Sequence, residues 1–583
     1  MLINRIVLKY KWLFCVFLMY TIITYFMVCM PVHPDIFKMY LGSGEVVMWS
    51  NYFWWFDYAV TYLHVNPLSD PYLYYPMGMD FIEGGLLPMF LFIPLTHIMG
   101  SVASYNIYVL STFVLSGLGM FLLVDYLITD KKIAFIAGLI FAFCPFHFAA
   151  AMGGHLHTFS IMLLPFFALY VHKMFDSPSI RNVIFCSIFF SGTALSSWTI
   201  GVMASLFFAI YLILNFQIIK KNNNLSNLSL FVITSSILIS PGLYYIVKNI
   251  IDNKFLSFPI DNFIAYSADL LGFIIPSPMH PIFNSFVLPI YSHFTGNFSE
   301  NIVFAGYTVL VLSFVGLLYC RSAKKIQPYI VTLIVSFLFA LGPLLQINGQ
   351  KFQNFYLPGI LTVFTPVLNM IRVPSRYDIL VMFCFSVIAA YGIHYLFEKY
   401  QLKKSHQIVS CLLVAFLILF EFSAVIPNQA VVTTPSFYYT ISADDENYTI
   451  MDIPAQQSSF MLSGMQSGGG MRYYDEYQKI HHKKAIGGYS TKIYPLYEQN
   501  IVQKDPVLLY LYYLDTSKQH AEVDPLEHLH QKFGIRYLII HPKFMDNNDL
   551  NKLSTYLGNT YTLDNSVEQD PLIIYRCDRT NPN

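Results

Sequence analysis

The residues able to do chemistry gather on a few short stretches of the chain. The first is Gly42-Ser43-Gly44-Glu45, a glycine-rich turn that delivers a carboxylate just ahead of an aromatic, amphipathic run carrying Trp54 and Trp55. Beside lipid headgroups such a carboxylate can serve as a general base or bind a cation; as a solvated loop acid it would do neither. The stretch continues through Asn66-Pro67 to Tyr74-Tyr75-Pro76, where aromatic rings suit ligand stacking or anchoring at the lipid interface. The second is Gly153-Gly154-His155-Leu156-His157. An extended turn would face both histidines the same way, as proton donors, phosphate contacts or structural helix-end groups; metal binding would need further ligands. A third stretch holds Asp269, His280 and Glu300, and a fourth reads Ile371-Arg372-Val373-Pro374-Ser375-Arg376. Arginines beside an interfacial helix suit phosphate oxygens, or simply snorkel at a helix end.

The elements that position these groups lie in a membrane. Hydrophobic residues make up 55% of the chain and charged residues 12%, with mean hydropathy +0.51, whereas soluble domains average about 25% charged residues. With 34 basic and 34 acidic residues there is no field to attract nucleic acid, which is therefore not an expected partner. The 8 cysteines are scattered and support neither a disulfide framework nor a metal cluster. Apolar runs long enough to span lie near 12–30, 104–127, 133–150, 158–175, 181–197, 199–218, 228–247, 301–320, 328–346, 377–397 and 407–427, which predicts about eleven crossings. The first lacks a small-residue cleavage site and reads as a retained helix rather than a signal peptide. Leu86–Met99 and Leu357–Met370 are short and broken by Pro88, Pro94, Pro358 and Pro366, and read as interfacial or re-entrant helices.

Basic loop residues orient the domain. Lys131/Lys132, Lys173/Arg181, Lys220/Lys221, Arg321/Lys324/Lys325 and Lys399/Lys403/Lys404 all fall on one side if the N-terminus is cytoplasmic, leaving the C-terminus outside. Residues 1–427 then form a helical polytopic membrane domain with a large first outer loop, 31–85, and a middle outer loop, 248–300. Residues 428–583 read as a soluble, extracytoplasmic α/β domain. Strand-like runs at Tyr448–Ile453, Arg536–His541 and Leu572–Arg576 alternate with helix-like Val507–Leu514 and Pro525–Phe533, the latter opened by Asp524 before a first-turn proline and stopped by Gly534. Here Tyr473, Tyr474, His481, Lys483 and Gly487-Gly488-Tyr489 could hold a ligand or pack the domain onto the membrane part.

The order GSGE, WSNYFWWFDYA and NPLSDPYLYYPMG resembles the first outer loop of a bacterial and archaeal multi-spanning family related to the GT-C glycosyltransferases. The similarity runs on through FCPFHFAAAMGGHLHTFSIMLLPFFALY, SADLLGFIIPSPMHP, FAGYTVL, IRVPSR, YQKIHHKKAIGGYS and GIRYLIIH, covering nearly the whole chain in order. The resemblance implies transfer of a sugar from a polyprenyl-phosphate donor, outside the membrane, to a glycan, lipid or protein acceptor of the cell envelope. It places the chain in a bacterial inner (plasma) membrane and makes Glu45 the catalytic acid or metal contact. Relatives carry Asp after this turn, so Glu45 is one methylene longer. Arg372 and Arg376, with His155 or His157, would bind the donor phosphate. Trp54, Trp55, Tyr75, Asp269, His280, Glu300, Tyr473, His481, Lys483 and Tyr489 would contact substrate. A divalent cation, Mg or Mn, is compatible with such a site.

Other classes remain on the table. A lipid-linked saccharide transporter or flippase would place polar groups near the midplane, usually in two related halves, and no internal repeat is evident. A non-catalytic envelope assembly protein would keep the fold and bind without turnover. Soluble hydrolases, nucleotide and redox enzymes are disfavoured, because G-x-S-x-G, Walker, dinucleotide and C-x-x-C motifs are all missing from the sequence.

Overall fold

The structure is a computed structural model that describes residues 2–81, 84–219, 224–251, 258–369, 371–455, 469–488, 494–514, 524–568 and 570–578. It is a mostly helical membrane part with a small sheet domain at the C-terminal end. Among the described residues, 7 helices are long and apolar enough to cross a membrane. The shorter apolar helices Ile180–Ser196, Trp198–Leu214, Tyr307–Cys320 and Gln327–Ala340 lie at four further expected runs. Prolines and polar caps set where these helices break. Ser197 ends one helix and caps the next by accepting from the Ile200 N–H at 3.2 Å. Cys144-Pro145 interrupts the third run, giving Lys131–Ala142 and Pro145–Met152, because proline cannot continue the helical ladder.

Two expected runs are shorter as helices than as hydropathy. The run near 301–320 becomes helical only at Tyr307. The run near 328–346 ends as helix at Ala340 and passes into a hairpin, Leu344–Ile347 with Gln350–Tyr356. Leu86–Met99 is helical and is joined to the next helix, so Leu86–Ile128 is continuous except at Gly100, whose φ of 82° and ψ of 164° turn the chain. Glycine takes that conformation without a Cβ penalty. Leu357–Met370 breaks into the short pieces Pro358–Ile360, Leu361–Phe364 and Pro366–Asn369.

The C-terminal sheet has 5 strands. Thr562–Asp564, Leu572–Arg576, Ile535–Ile540, Thr449–Ile453 and Lys484–Ala485 lie side by side in that order, with Thr449–Ile453 parallel to both its neighbours. Every residue of Thr449–Ile453 is buried, as a strand covered on both faces requires. Asp524 caps Pro525–Phe533 and Gly534 ends it in the left-handed region, as the sequence predicts.

The sheet domain is not tethered by a free linker. Asn428–Ala430 pairs antiparallel with Met39–Leu41, in the loop that follows the first helix. The backbone of that loop then runs against the domain. Ala485 N–H donates to Tyr72 O at 2.7 Å, Tyr75 N–H to Ala485 O at 3.1 Å, and Tyr74 N–H to Gly487 O at 2.7 Å.

Asp70 organises this docking turn. Its carboxylate is buried and accepts from the Tyr72 N–H at 2.8 Å, and burial raises its pKa from 3.8 to about 7. A carboxyl raised on folding stabilises the protein at low pH, and that contribution is lost as pH rises through about 7. The thermal midpoint of the detergent-purified protein is therefore expected to fall over that window. Asp70→Asn, which keeps an acceptor and cannot ionise, should flatten the profile; an unchanged slope in the variant would refute the assignment.

Candidate functional site

Glu45 occupies the N-cap position of the helix Val46–Asp57, yet its side chain makes no capping hydrogen bond. A capping residue normally spends its side chain on the first N–H groups of the helix; this one does not. The turn that carries it is locked by backbone. Gly42 and Gly44 have φ of 101° and 75°. A Cβ on Gly42 would lie 2.4 Å from Ala151 O, and one on Gly44 2.6 Å from Gly153 O, so no side chain fits at either position. Ser43 N–H donates to Met152 O at 2.7 Å and Glu45 N–H to Gly153 O at 3.1 Å. The GSGE turn and the Gly-Gly-His loop therefore form one interlocked unit.

Around that unit, buried polar atoms collect without hydrogen-bond partners among the described residues. They include Glu45 Oε2, Trp49 Nε1, Tyr105 Oη and Thr158 Oγ1. Trp49 stands one helical turn after Glu45 and its ring lies 5.8 Å from that of His157, which is 6.1 Å from the His155 ring. Glu45 is within Coulombic reach of Tyr105 and of Arg376. A buried polar group left unbonded costs about 1–3 kcal/mol, and such groups in a native protein call for an explanation.

The opposite wall is an ion pair. Arg376 donates from Nε and Nη2 to Glu300 Oε1 at 3.1 and 2.5 Å, with only 8% and 2% of the two residues exposed. His155 Nδ1 lies 3.5 Å from the same oxygen, and Asn297 Oδ1 accepts the Glu300 N–H at 2.9 Å. Burial would raise the Glu300 pKa, but Arg376, then His155 and Arg372, outweigh it and hold the carboxyl below its ordinary value. The anion therefore persists. Arg372 is half-buried, its guanidinium 5.3 Å above the Phe258 ring.

So Glu45, His155, His157, Glu300 and Arg376 come together, with Arg372 within Coulombic reach of Glu300. Glu300 spends its carboxylate on Arg376. Other expected residues sit elsewhere. Asp269 accepts backbone N–H groups of Leu271, Asn348 and Gly349 at 3.0, 3.0 and 2.8 Å, and so holds the turn of the hairpin Leu344–Tyr356. His280 uses both ring nitrogens on backbone, Nε2 with Phe420 O at 2.9 Å and Nδ1 with the Ile282 N–H at 3.1 Å. Trp55 is fully buried and donates to Pro67 O at 2.9 Å.

The aromatic and C-terminal residues cluster at the domain junction. Trp54 stacks on His482 at 5.5 Å, and Lys484 Nζ lies 5.0 Å from the Tyr75 ring. His481 is buried, accepts the Lys483 N–H at 2.9 Å, and is pushed by burial to a pKa of about 3. Lys483 Nζ donates to the carbonyls of Asp444 and Glu446. Tyr473 packs on Phe544 at 5.1 Å. Tyr489 lies outside the described residues. A small cleft at this junction is lined by Leu73, Asp452, Tyr474, Asp475, Gln478 and His481.

Trp49, Tyr105 and Thr158 are absent from the sequence-based set. The helical spacing of Trp49 from Glu45 is a signal that could have found it; Tyr105 depends on the turn at Gly100, which no residue pattern announces. Among the described residues no group of three or more His, Cys, Asp or Glu is arranged to hold a metal ion, and Glu300 is committed to Arg376. The residues do not fit a resident cation, and no step below uses one.

No protein-family model matches the sequence, and no curated protein matches it. Solved structures do. The arabinofuranosyltransferase AftD from mycobacteria is similar with a TM-score of 0.56 and 12% identity, over 92% of this chain and 35% of that one. A variant of AftD gives a TM-score of 0.60 at 12% identity, over 98% of this chain and 42% of that one. The oligosaccharyltransferase of Archaeoglobus fulgidus gives 0.51 at 14% identity, over 94% of this chain and 72% of that one. The chain thus spans well under half the length of AftD. At these identities the likeness is one of fold alone: the chain has a GT-C-like fold.

Proposed function

We propose that this chain is a glycosyltransferase of the extracytoplasmic membrane face that moves a sugar from a polyprenyl-phosphate donor to a cell-envelope glycan, lipid or protein. The observation that carries the reading is Glu45, a buried carboxylate oxygen with no hydrogen-bond partner among the described residues, held on a rigid turn within Coulombic reach of Arg376. The fold shared with an arabinofuranosyltransferase and an oligosaccharyltransferase supports the same chemistry.

The donor lies with its isoprenoid tail among the spans and its phosphate between Arg372, Arg376 and the histidine pair. The acceptor hydroxyl attacks the anomeric carbon. Its proton passes to Glu45, the new C–O bond forms, and the bond to the phosphate oxygen breaks with its electron pair on that oxygen. Positive groups aimed at the leaving phosphate stabilise that developing charge. Glu300 already neutralises Arg376 through Nε and Nη2, whereas Arg372 makes no ion pair within 4 Å among the described residues. Arg372→Ala is therefore expected to raise the donor KM about tenfold, the loss of one charge-assisted contact, with a smaller change in kcat. The assay is incorporation from a radiolabelled polyprenyl-phosphate sugar in membranes; an unaltered KM would remove Arg372 from the donor site.

A further inference from the structure

Glu45 stands at the apex of a closed loop whose base is pinned from the C-terminal domain. Tyr40 and Ser50 lie five residues before and five after Glu45, and their side-chain oxygens are 3.2 Å apart. Lys479, on the C-terminal helix Gly469–His481, reaches both. Its Nζ donates to Ser50 Oγ at 3.0 Å and to Tyr40 Oη at 3.3 Å. Glu476, one turn earlier on that helix, accepts from the Tyr40 hydroxyl and from Lys479 Nζ, the latter at 3.0 Å. The side chains of Lys479 and Glu476 are 9% and 6% exposed. Ser50 Oγ is also 3.0 Å from Ser101 Oγ, just past the turn at Gly100, so the base of the loop touches membrane helix and soluble domain together.

We propose that Lys479 and Glu476 are positioning residues that clamp residues 40–50 and so set the carboxylate of Glu45 in the site. This rests on the transferase reading for its consequence, not for its geometry. The apex is fixed by backbone bonds to Met152 and Gly153, and the strand Met39–Leu41 by its pairing with Asn428–Ala430; Lys479 and Glu476 join the Tyr40 and Ser50 side chains to each other and to the helix Gly469–His481. Asn51 Nδ2, next along the helix, adds a 3.4 Å bond to Gln478 Oε1. The soluble domain is therefore part of the catalytic apparatus rather than an appendage. Because small misplacements of a catalytic group are costly, loosening the clamp acts on turnover and leaves donor binding at Arg372 alone.

The test uses the full chain in nanodiscs with Lys479→Met and, as a milder variant, Tyr40→Phe. Hydrogen–deuterium exchange over residues 39–57 is expected to rise about tenfold in Lys479→Met, the order of one buried charge-assisted bond, while Thr449–Ile453 keeps its protection. Turnover should fall on the order of a hundredfold with donor KM unchanged, and Lys479→Arg should restore part of it. Should Lys479→Met loosen the whole sheet domain, Tyr40→Phe carries the comparison, because it leaves Lys479 and Glu476 paired. Unchanged exchange over 39–57 in both variants overturns the clamp. Raised exchange in a protein whose wild type transfers no sugar upholds the clamp and refutes the transferase reading.

Discussion

Glu45→Gln is expected to abolish turnover while leaving the protein folded and able to hold its lipid donor. Loss of a general base costs about a hundredfold to ten-thousandfold in rate, and glutamine matches the shape of glutamate. The carboxylate makes no capping bond and its Oε2 has no partner among the described residues, so stability should barely change. That separation is what distinguishes a catalytic carboxylate from a structural one such as Asp269, whose three backbone bonds would be lost on substitution. Single-turnover sugar transfer, measured beside thermal unfolding, reads both quantities. Turnover at the wild-type level would rule out Glu45 as the base.

The largest effect on stability is expected at Glu300. Its pairing with Arg376 is almost fully buried, and removing one partner strands a charge in a low-dielectric setting. Glu300→Ala should destabilise the protein by about 3–5 kcal/mol and abolish activity with it. The double replacement Glu300→Leu with Arg376→Met removes both charges and should recover most of the stability, since a buried pair exchanged for apolar groups is often neutral. Activity should stay lost, because Arg376, one of the two arginines proposed to flank the donor phosphate, is gone. Chemical denaturation of the two variants beside the wild type decides it: a double variant as unstable as Glu300→Ala would show that the pair contributes shape rather than charge balance.

Much of this was legible in the residues. The residues offered Glu45 as a carboxylate on a glycine turn, equally readable as a solvated loop acid, and it was the resemblance to the GT-C family that made it the candidate base. The paired histidines stood out by spacing, and Asp524, Pro525 and Gly534 marked a helix whose ends the structure reproduces. What could not be read were contacts between distant segments. Gly42 and Gly44 pack on the backbone of residues 151 and 153, an approach that glycine permits but does not specify. Glu300 and Arg376 are 76 positions apart, and each alone resembled a substrate contact. Asp269 and His280 resembled site residues for a similar reason: irregular loops leave backbone groups unsatisfied, and polar side chains that bond them look, in sequence, like chemistry. Trp55 was taken by the core while Trp49, nearer to Glu45 on the same helix, faces the site.

The join near residues 427 and 428 shows the same limit. Composition changes there, yet Gly42 N–H donates to Pro427 O at 2.8 Å and Asn428–Ala430 completes a ribbon with Met39–Leu41. The boundary between membrane and C-terminal sequence is thus a point of attachment beside the Glu45 turn, which is the contact the proposed clamp extends.

The central claim is that a lipid phosphate sits on the outer face between the Glu45 turn, the His155 loop and Arg372. The direct measurement is photocrosslinking with a polyprenyl phosphate that carries its reactive group beside the phosphate, followed by mass spectrometric mapping of the labelled peptides. Label is expected on residues 42–49, 153–158 and 371–376, competed away by unlabelled polyprenyl phosphate. Label confined to the middle of the spans, reachable from both sides of the membrane, would contradict the account and favour transport.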